Sequence, residues 1–485
     1  MIARPPSVVI IGAGFGGIGL GALLRRAGIG SFTILEKAGS LGGTWRDNSY
    51  PGAACDVPSH LYCFSFAPNP QWSRRYAPQG EILDYLTRVA RESGVADHIR
   101  YGCEVSAAEW SDTRREWVVS LTDGRIIRAD VVVSAVGQLH RPTIPPIPGL
   151  ESFAGAAFHS ARWPPGLDVT DRRVGVLGTA ASAVQIVPAV AGAAARLTVF
   201  QRSPNWILPR GDRAYGAWER RAMAAVPGLR RAYRTWIWAS YEARFPALRG
   251  RRLFAGFAQH LLDRHLSSEV DDPRLRCALT PDYPVGARRV LSADDYYPAL
   301  RRPNVELVTQ PVDRVIPEGI VLSDGSMTPL DVLVLATGFR STEFLVPLRV
   351  VGTGGRVLAE VWSDGASAHL GLSVPGFPNF FMMYGPNTNL GHNSILFMLE
   401  CQARHIVSLL RGMSHGDTAE VRADSFARQH DALQRALDRT VWSAADRSWY
   451  KDDAGRITNN WGYGTLRYWW QTRRAVARDY VLTRG

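Results

Sequence analysis

Two stretches of this chain repeat one local pattern: a short apolar run, a break of small residues, then an apolar pattern of helical period. No other feature limits the fold as strongly. In the first, Ser7 to Ile11 reads as a buried parallel strand that runs into Gly12-Ala-Gly14-Phe-Gly-Gly17, and Ile18 to Ala27 reads as the helix. In the second, the strand Val174 to Leu177 runs into Gly178-Thr179-Ala180-Ala-Ser182-Ala183 before a helix through Val190. Such a turn needs small residues for three separate reasons. The first glycine permits the tight bend, the second lets a pyrophosphate approach the backbone, and the third lets helix and strand pack closely. The phosphate charge is met by the helix N-terminus. The second turn departs from the pattern, with Ala180 and Ala183 where the second and third glycines usually stand, so weakened binding is expected there.

The two units differ in the sign of one side chain. Twenty-four residues after Gly12, at the end of a second strand Ser31 to Leu35, stands Glu36; at the same offset from Gly178, after a strand Leu197 to Phe200, stands Arg202. A carboxylate can accept hydrogen bonds from both hydroxyls of an adenosine ribose, although a glutamate can also end a strand at a surface with no such purpose. A carboxylate repels a 2′-phosphate, whereas a guanidinium binds one through two parallel charge-assisted hydrogen bonds. The first unit is therefore expected to hold FAD and the second NADPH. Gly12, Gly14, Gly17, Glu36 and Lys37 are the expected residues of the first site; Gly178, Thr179, Ala180, Ser182, Gln185, Arg202 and Ser203 are those of the second.

At 485 residues the chain is too long for one ordinary core. Two apolar strands that end in a small-x-Gly turn, Ala129 to Gly137 and Asp331 to Phe339, look like crossing points between domains. Pro142, Pro145, Pro146 and Pro148 make 138–150 a stiff linker. The expected class is α/β with two Rossmann-like dinucleotide-binding domains. Residues 1–140 and 332–485 would form the FAD domain, and 141–331 the NADPH domain with a helical insert at about 209–284. The insert is rich in arginine and large aromatics, including Trp218, Trp236, Trp238, Phe245 and Phe254, read as core-facing stripes in preference to a membrane-surface face or a substrate entrance.

The formal charge of +12 raises the question of a polyanionic partner, but all basic residues except Lys37 and Lys451 are arginines scattered along the chain, with no basic tail. No nucleic-acid partner is expected. The five cysteines, Cys55, Cys63, Cys103, Cys277 and Cys401, form no C-x-x-C and show no metal-ligand spacing, which suits a reducing cytoplasm and argues against both a metal and disulfide-reductase chemistry. The opening Met1 to Gly17 imitates a signal peptide, yet its apolar run leads into the glycine turn instead of a cleavage site. No run of about 18 apolar residues suggests a transmembrane span.

Between the linker and the second nucleotide unit lies Phe153-Ala-Gly155-Ala-Ala-Phe-His159-Ser-Ala-Arg-Trp163-Pro164. It resembles, at every specified position, the fingerprint F-x-G-x-x-x-H-x-x-x-W-P of type I Baeyer-Villiger monooxygenases. A second fingerprint of that family is similar to Gly42-Gly43-Thr44-Trp45-Arg-Asp-Asn-Ser-Tyr50-Pro51-Gly52-Ala-Ala-Cys-Asp56. The likeness continues in Gly376 to Asn379 and Tyr384 to Ile395, and leaves out only the helical insert.

The resemblance implies an NADPH-consuming flavoprotein that turns a ketone and O2 into an ester or lactone through a flavin C4a-peroxide. It implies that His159 is a hinge and hydrogen-bonding residue coupling the two domains, with Phe153, Gly155, Trp163 and Pro164 in the same element. Gly43, Thr44, Trp45, Asp56, Tyr62 and Asn387 would join the flavin site. The stretch Pro281-Asp-Tyr-Pro-Val-Gly286-Ala-Arg288-Arg289 resembles the family's loop of two adjacent cations, with Arg288 in place of the usual lysine on the 2′-phosphate and Arg289 as the active-site arginine. By itself, an Arg-Arg pair in a loop is most often a solvated surface feature. Asp56 would hold Arg289, and Trp449 would lie against the nicotinamide nucleotide. Two other readings stay open: a nitrogen- or sulfur-oxygenating enzyme of the same architecture, and an oxidase-like or binding flavoprotein in which Ala180 and Ala183 impair NADPH binding.

Overall fold

The computed structural model describes residues 4–250, 252–444 and 448–485, with the side chains of 252–254 and 474–477 outside that description. Each of the two strand–turn–helix units sits at the centre of its own five-stranded parallel sheet. In the first sheet the spatial order is Phe380–Met382, Val131–Ser134, Val8–Ile11, Phe32–Leu35 and Ile99–Arg100. In the second it is Val305–Val308, Arg196–Phe200, Arg173–Leu177, Val332–Leu335 and Ala156–His159. The central strands are buried along most of their length, as expected where helices cover both faces of a parallel sheet. Two smaller antiparallel meanders, Val105–Ala129 and Val312–Pro329, hang from the sheets.

The first glycine turn is itself the first turn of its helix, which spans Phe15–Arg26 and so starts three residues earlier than its apolar pattern suggests. The second helix, Ala183–Ala191, starts five residues after its first glycine. That later start coincides with the two alanines. The Ala183 methyl is fully buried between helix and sheet, while Ala180 stays exposed on the turn.

The second crossing between the sheets lies farther along than the sequence suggests. Val332–Leu335, expected to open the returning part of the first domain, instead pairs with Arg173–Leu177 and Ala156–His159 in the second sheet. A four-residue apolar strand buried on both faces fits either sheet, so pairing alone decides its place. The chain leaves the second sheet at Ala336–Phe339, where it runs antiparallel to the outgoing linker. Thr143 N donates to Gly338 O at 2.9 Å, Arg340 N to Arg141 O at 3.0 Å, and Thr337 Oγ1 to Thr143 O at 2.6 Å. The two crossings are therefore hydrogen-bonded to each other side by side.

The insert contains the helices Ala217–Ala225, Pro227–Glu242, Arg252–Glu269 and Pro273–Leu279. Its aromatics divide in two ways. Phe245 is buried, but Trp218 and Trp236 are 73% and 58% exposed, which corrects the core-facing reading of those two. The side chain of Phe254 lies outside the described residues.

The loop carrying the second fingerprint closes the gap between the sheets. Tyr50 donates to Gln185 Oε1 at 3.0 Å, Gln185 Nε2 donates to Ala54 O at 2.9 Å, and Gly52, at φ +81°, packs so tightly that an added Cβ would stand 2.4 Å from Gln185 O. Gly52→Ala is therefore expected to destabilise the protein by about 1–3 kcal/mol in denaturant unfolding, whereas Gly80→Ala, where an added Cβ meets nothing within 4 Å, should change stability by less than about 1 kcal/mol.

Candidate active site

A single cavity of about 1830 Å³ runs from one glycine turn to the other. That exceeds the roughly 300–1,000 Å³ typical of one small-ligand site, so there is room for more than one bound molecule. At its first end, Gly12 adopts φ +106° and lies against Ala135, where a Cβ would stand 2.7 Å from a carbonyl oxygen. Gly14 faces Gly43, whose added Cβ would come within 3.2 Å of Gly14 Cα, so the two keep a narrow cradle open at the helix start. Gly17 serves packing alone: a Cβ there would strike Gly12 O, and the residue does not line the cavity.

Glu36 is buried at the end of its strand and lines the same end. Its Oε2 accepts from Ala13 N at 2.8 Å, and its Oε1 accepts from Ala38 N and Arg46 Nη1, both at 3.0 Å. Oε2 thus keeps acceptor capacity for a hydroxyl donor. Lys37, Thr44, Trp45 and Tyr62 line the cavity as well, and Trp45 Nε1 donates to Tyr62 Oη at 3.0 Å. Arg46 is a partner of Glu36 that the sequence reading did not single out; its place next to Trp45 in the second fingerprint was the available signal.

The other end carries the opposite charge. Arg202 is exposed on the cavity wall, and Arg288 donates to Ser203 Oγ at 2.8 Å while stacking over Tyr283 at 4.5 Å. Gly178 holds φ +113° with Ala336 O behind it. Thr179 donates to Ser203 O at 3.0 Å, which ties the turn to the arginine loop. Ala180, Ser182 and Gln185 border this end too, although both ends of the Gln185 carboxamide are engaged with the fingerprint loop.

Between the two ends, Arg289 donates to the Asp56 carboxylate. Each side chain is about a third exposed, and both line the cavity. Burial works against ionisation of Asp56, but the Arg289 guanidinium outweighs it and holds the carboxyl below its usual range; Asp56 in turn raises Arg289 further above its ordinary value. Arg210, which the sequence reading missed, donates to Cys55 O and adds a second positive charge beside Asp56. Burial lifts the neighbouring Tyr450 phenol to about 12, so it stays protonated.

His159 stands beside this double crossing, where its two nitrogens have different partners. Nδ1 accepts from Ala161 N at 3.1 Å, and Nε2 lies 2.9 Å from Gly338 O. These partners assign the neutral tautomer with the proton on Nε2. Burial lowers its pKa, in keeping with that form. Phe153 and Trp163 are buried, Trp163 edge-on to Phe158 at 5.1 Å, and Pro164 begins the next turn. A Cβ on Gly155 would meet Asp331 O at 2.3 Å, so that glycine brings the fingerprint strand close against the start of Val332–Leu335, its neighbour in the second sheet.

Trp449 borders the cavity, its carbonyl oxygen held by Ser341 Oγ at 2.9 Å and by Asn459 Nδ2 at 2.5 Å. Asn387 does not fit its expected place. It is buried at φ +57°, its Nδ2 donates to Ile457 O and Asn460 O, and the cavity is lined instead by Asn389 and Leu390. A carboxamide that is needed to satisfy two backbone carbonyls shapes the loop and does not face the cavity.

Polar dinucleotides fit this lining. Gln138 Oε1 and Gln201 Oε1 are buried without a partner among the described residues, and both side chains border the cavity. Buried polar atoms need partners, and the cofactors would supply them.

The pyridine nucleotide-disulphide oxidoreductase family model matches residues 9–215. Over 481 residues the chain is 43% identical to a Baeyer-Villiger monooxygenase of Streptomyces coelicolor, covering 98% of this chain and 92% of that protein. Among solved structures, an oxidized steroid monooxygenase bound to NADP aligns with a TM-score of 0.89 at 31% identity, and OTEMO in complex with FAD and NADP with 0.88 at 29% identity. Each alignment covers 99% of this chain and 100% of the other. The disulphide in the family model's name does not extend to the chemistry here, because all five cysteines are free and burial pushes the Cys55 and Cys63 thiols up. With sequence and fold shared over nearly its full length, the chain belongs to the Baeyer-Villiger monooxygenase family.

Proposed function

We propose that this enzyme binds FAD in the Glu36 end of the cavity and NADPH in the Arg202 end, and inserts one oxygen atom of O2 beside a ketone carbonyl. The observation that carries this reading is the Arg289–Asp56 pair lying in one cavity between two dinucleotide cradles of opposite charge. When bound, the flavin supplies the redox chemistry, accepting hydride from NADPH and passing electrons to O2. The protein's part is charge, position and exclusion of water.

Oxygen attack on a carbonyl carbon needs an anionic oxygen, and a fixed cation nearby stabilises it without protonating it. Arg289 suits that task, since Asp56 raises its pKa further and it keeps its proton at any physiological pH. Nitrogen or sulfur oxygenation needs the opposite, a protonated and electrophilic oxygen, and a guanidinium is a poor proton donor. Asp56 positions Arg289 and offsets its charge. The pair also links folding to pH. Because the Asp56 carboxyl titrates lower in the folded state than in the unfolded chain, its stabilising contribution is present above the ordinary carboxylate range and is lost as pH falls through the lowered value.

His159, Gly155 and Trp163 act as positioning residues. His159 Nε2–H holds Gly338 O at the hinge, so movement of the second domain is transmitted through that bond to the wall that carries Trp449 and the linker. Closure about this hinge would shield the cavity from water, which otherwise protonates the attacking oxygen. Among the described residues no helix is long and apolar enough to cross a membrane, and the free cysteines suit a reducing cytoplasm.

Arg289→Ala should leave reduction of the bound flavin by NADPH within a few-fold of wild type, as followed by loss of flavin absorbance. Ester formation from a ketone should fall by at least about 10²–10³ as hydrogen peroxide release rises. Normal ester yield from that variant would remove Arg289 from the mechanism. Separately, Arg202→Ala should raise KM for NADPH by about 10–100-fold, the loss of a charge-assisted phosphate contact, with little change for NADH. Equal losses with both nucleotides would mean that Arg202 does not meet the 2′-phosphate.

A further inference from the structure

A second cavity, of about 910 Å³, lies apart from the nucleotide sites. Four helices wall it: Phe15–Arg26, Pro227–Glu242, Ile395–Leu410 and Thr465–Asp479. The helix Ile395–Leu410 separates it from the active site. Ile395, Leu396 and Leu399 line the nucleotide cavity, whereas Phe397, Glu400, Cys401 and Arg404 line the second one.

The lining combines two chemistries. Trp238, Phe397, Leu466 and Trp469 give an apolar wall, with Leu466 and Trp469 open to solvent. Beside it, among the described residues, stand five arginines, Arg26, Arg234, Arg404, Arg411 and Arg473, and a single carboxylate, Glu400. Glu400 is buried and already engaged: Ser65 N donates to it at 2.6 Å, Ser65 Oγ donates to its other oxygen, and Arg404 and Arg234 lie at 3.3 and 3.9 Å. Arg234 also donates to His60 O and Cys63 O, and Arg26 to Phe66 O. Among the described residues, neither a carboxylate nor a carbonyl holds the guanidinium of Arg411 or Arg473. Arg411 follows the end of Ile395–Leu410, and Arg473 stacks over Trp469 at 4.7 Å. Nothing in the oxygenation reaction uses them.

We propose that this groove binds an anionic amphiphile, a molecule with a carboxylate or phosphate head and an apolar chain. The head meets Arg411 and Arg473, and the chain lies along Trp238, Phe397, Leu466 and Trp469. Arginine suits the head because its planar fork binds both carboxylate and phosphate through paired hydrogen bonds. The aromatic wall gives the chain apolar area to cover. A ligand here rests on the opposite face of the helix that lines the nucleotide cavity, so occupancy can be read in the active site.

The test is calorimetric titration of dodecanoate, and in parallel dodecanol, into the FAD-loaded full chain. Dodecanoate should bind saturably at one site, and dodecanol at least about tenfold more weakly, the loss of one charge-assisted contact. The paired substitutions Arg411→Glu and Arg473→Glu should weaken dodecanoate binding at least about tenfold, while ketone-dependent NADPH oxidation without dodecanoate stays within about twofold. The paired Arg411→Gln and Arg473→Gln substitutions, which remove charge without reversing it, keep the comparison valid if charge reversal unfolds the helix ends. Phosphatidylglycerol vesicles that capture the wild type but not the paired variant would support the same head chemistry with a bilayer as its source. Binding that ignores the head charge, survives both pairs of substitutions, or is absent with both probes would overturn the proposal.

Discussion

The contact between Arg289 and Asp56 is where the fold and the chemistry meet. The carboxylate comes from the fingerprint loop and the guanidinium from the loop of Arg288 and Arg289, more than two hundred residues apart in sequence. Each side chain is only about a third exposed, so losing its partner would leave a partly buried, unpaired charge, which is costly. Together they join the fingerprint loop to the loop of Arg288 and Arg289, and the cation keeps its proton. The pair therefore depends on everything that fixes the distance between the sheets: Gly52 against Gln185, Tyr50 on the same carboxamide, Arg210 on Cys55, and the hydrogen-bonded double crossing at 141–143 and 337–340.

The two halves of the cavity show how one local architecture can be directed to two cofactors. Both place a positive-φ glycine after a central strand, and both direct a helix N-terminus toward the space beyond it. The difference is electrostatic. Glu36 is embedded among backbone donors and Arg46, with acceptor capacity left for hydroxyl groups. Arg202 stands exposed, with Arg288 steered toward the same region by Ser203 and the face of Tyr283. Alanine at positions 180 and 183 does not close the second site, because one methyl is absorbed between helix and sheet and the other stays outside.

The neutral His159 explains why a histidine in such a fingerprint need not be a base. Both of its nitrogens are committed to backbone groups, one as acceptor and one as donor, and burial disfavours the charged form. A proton-transfer role would require breaking one of these bonds, whereas a hinge role uses both.

The chain's glycines, its two oppositely charged residues at matched offsets and its fingerprints were enough to define the class and to point to two nucleotide sites and a candidate cation, because each depends on local geometry or on chemistry that a residue carries wherever it goes. Pairing and direction were not legible in the same way. Val332–Leu335 is an apolar run that either sheet could bury, and hydrogen bonding to Arg173–Leu177 decided the matter. Asn387 lies in a motif of cavity residues, but its carboxamide turns back to satisfy Ile457 and Asn460, and Asn389 takes the place on the wall. Trp218 and Trp236 follow helical periodicity and still face solvent, since periodicity gives a helix an apolar face without saying what covers it. Arg210 and the arginine groove behind Ile395–Leu410 have no motif at all. They exist only because residues distant in sequence converge, and convergence is a property of the tertiary structure.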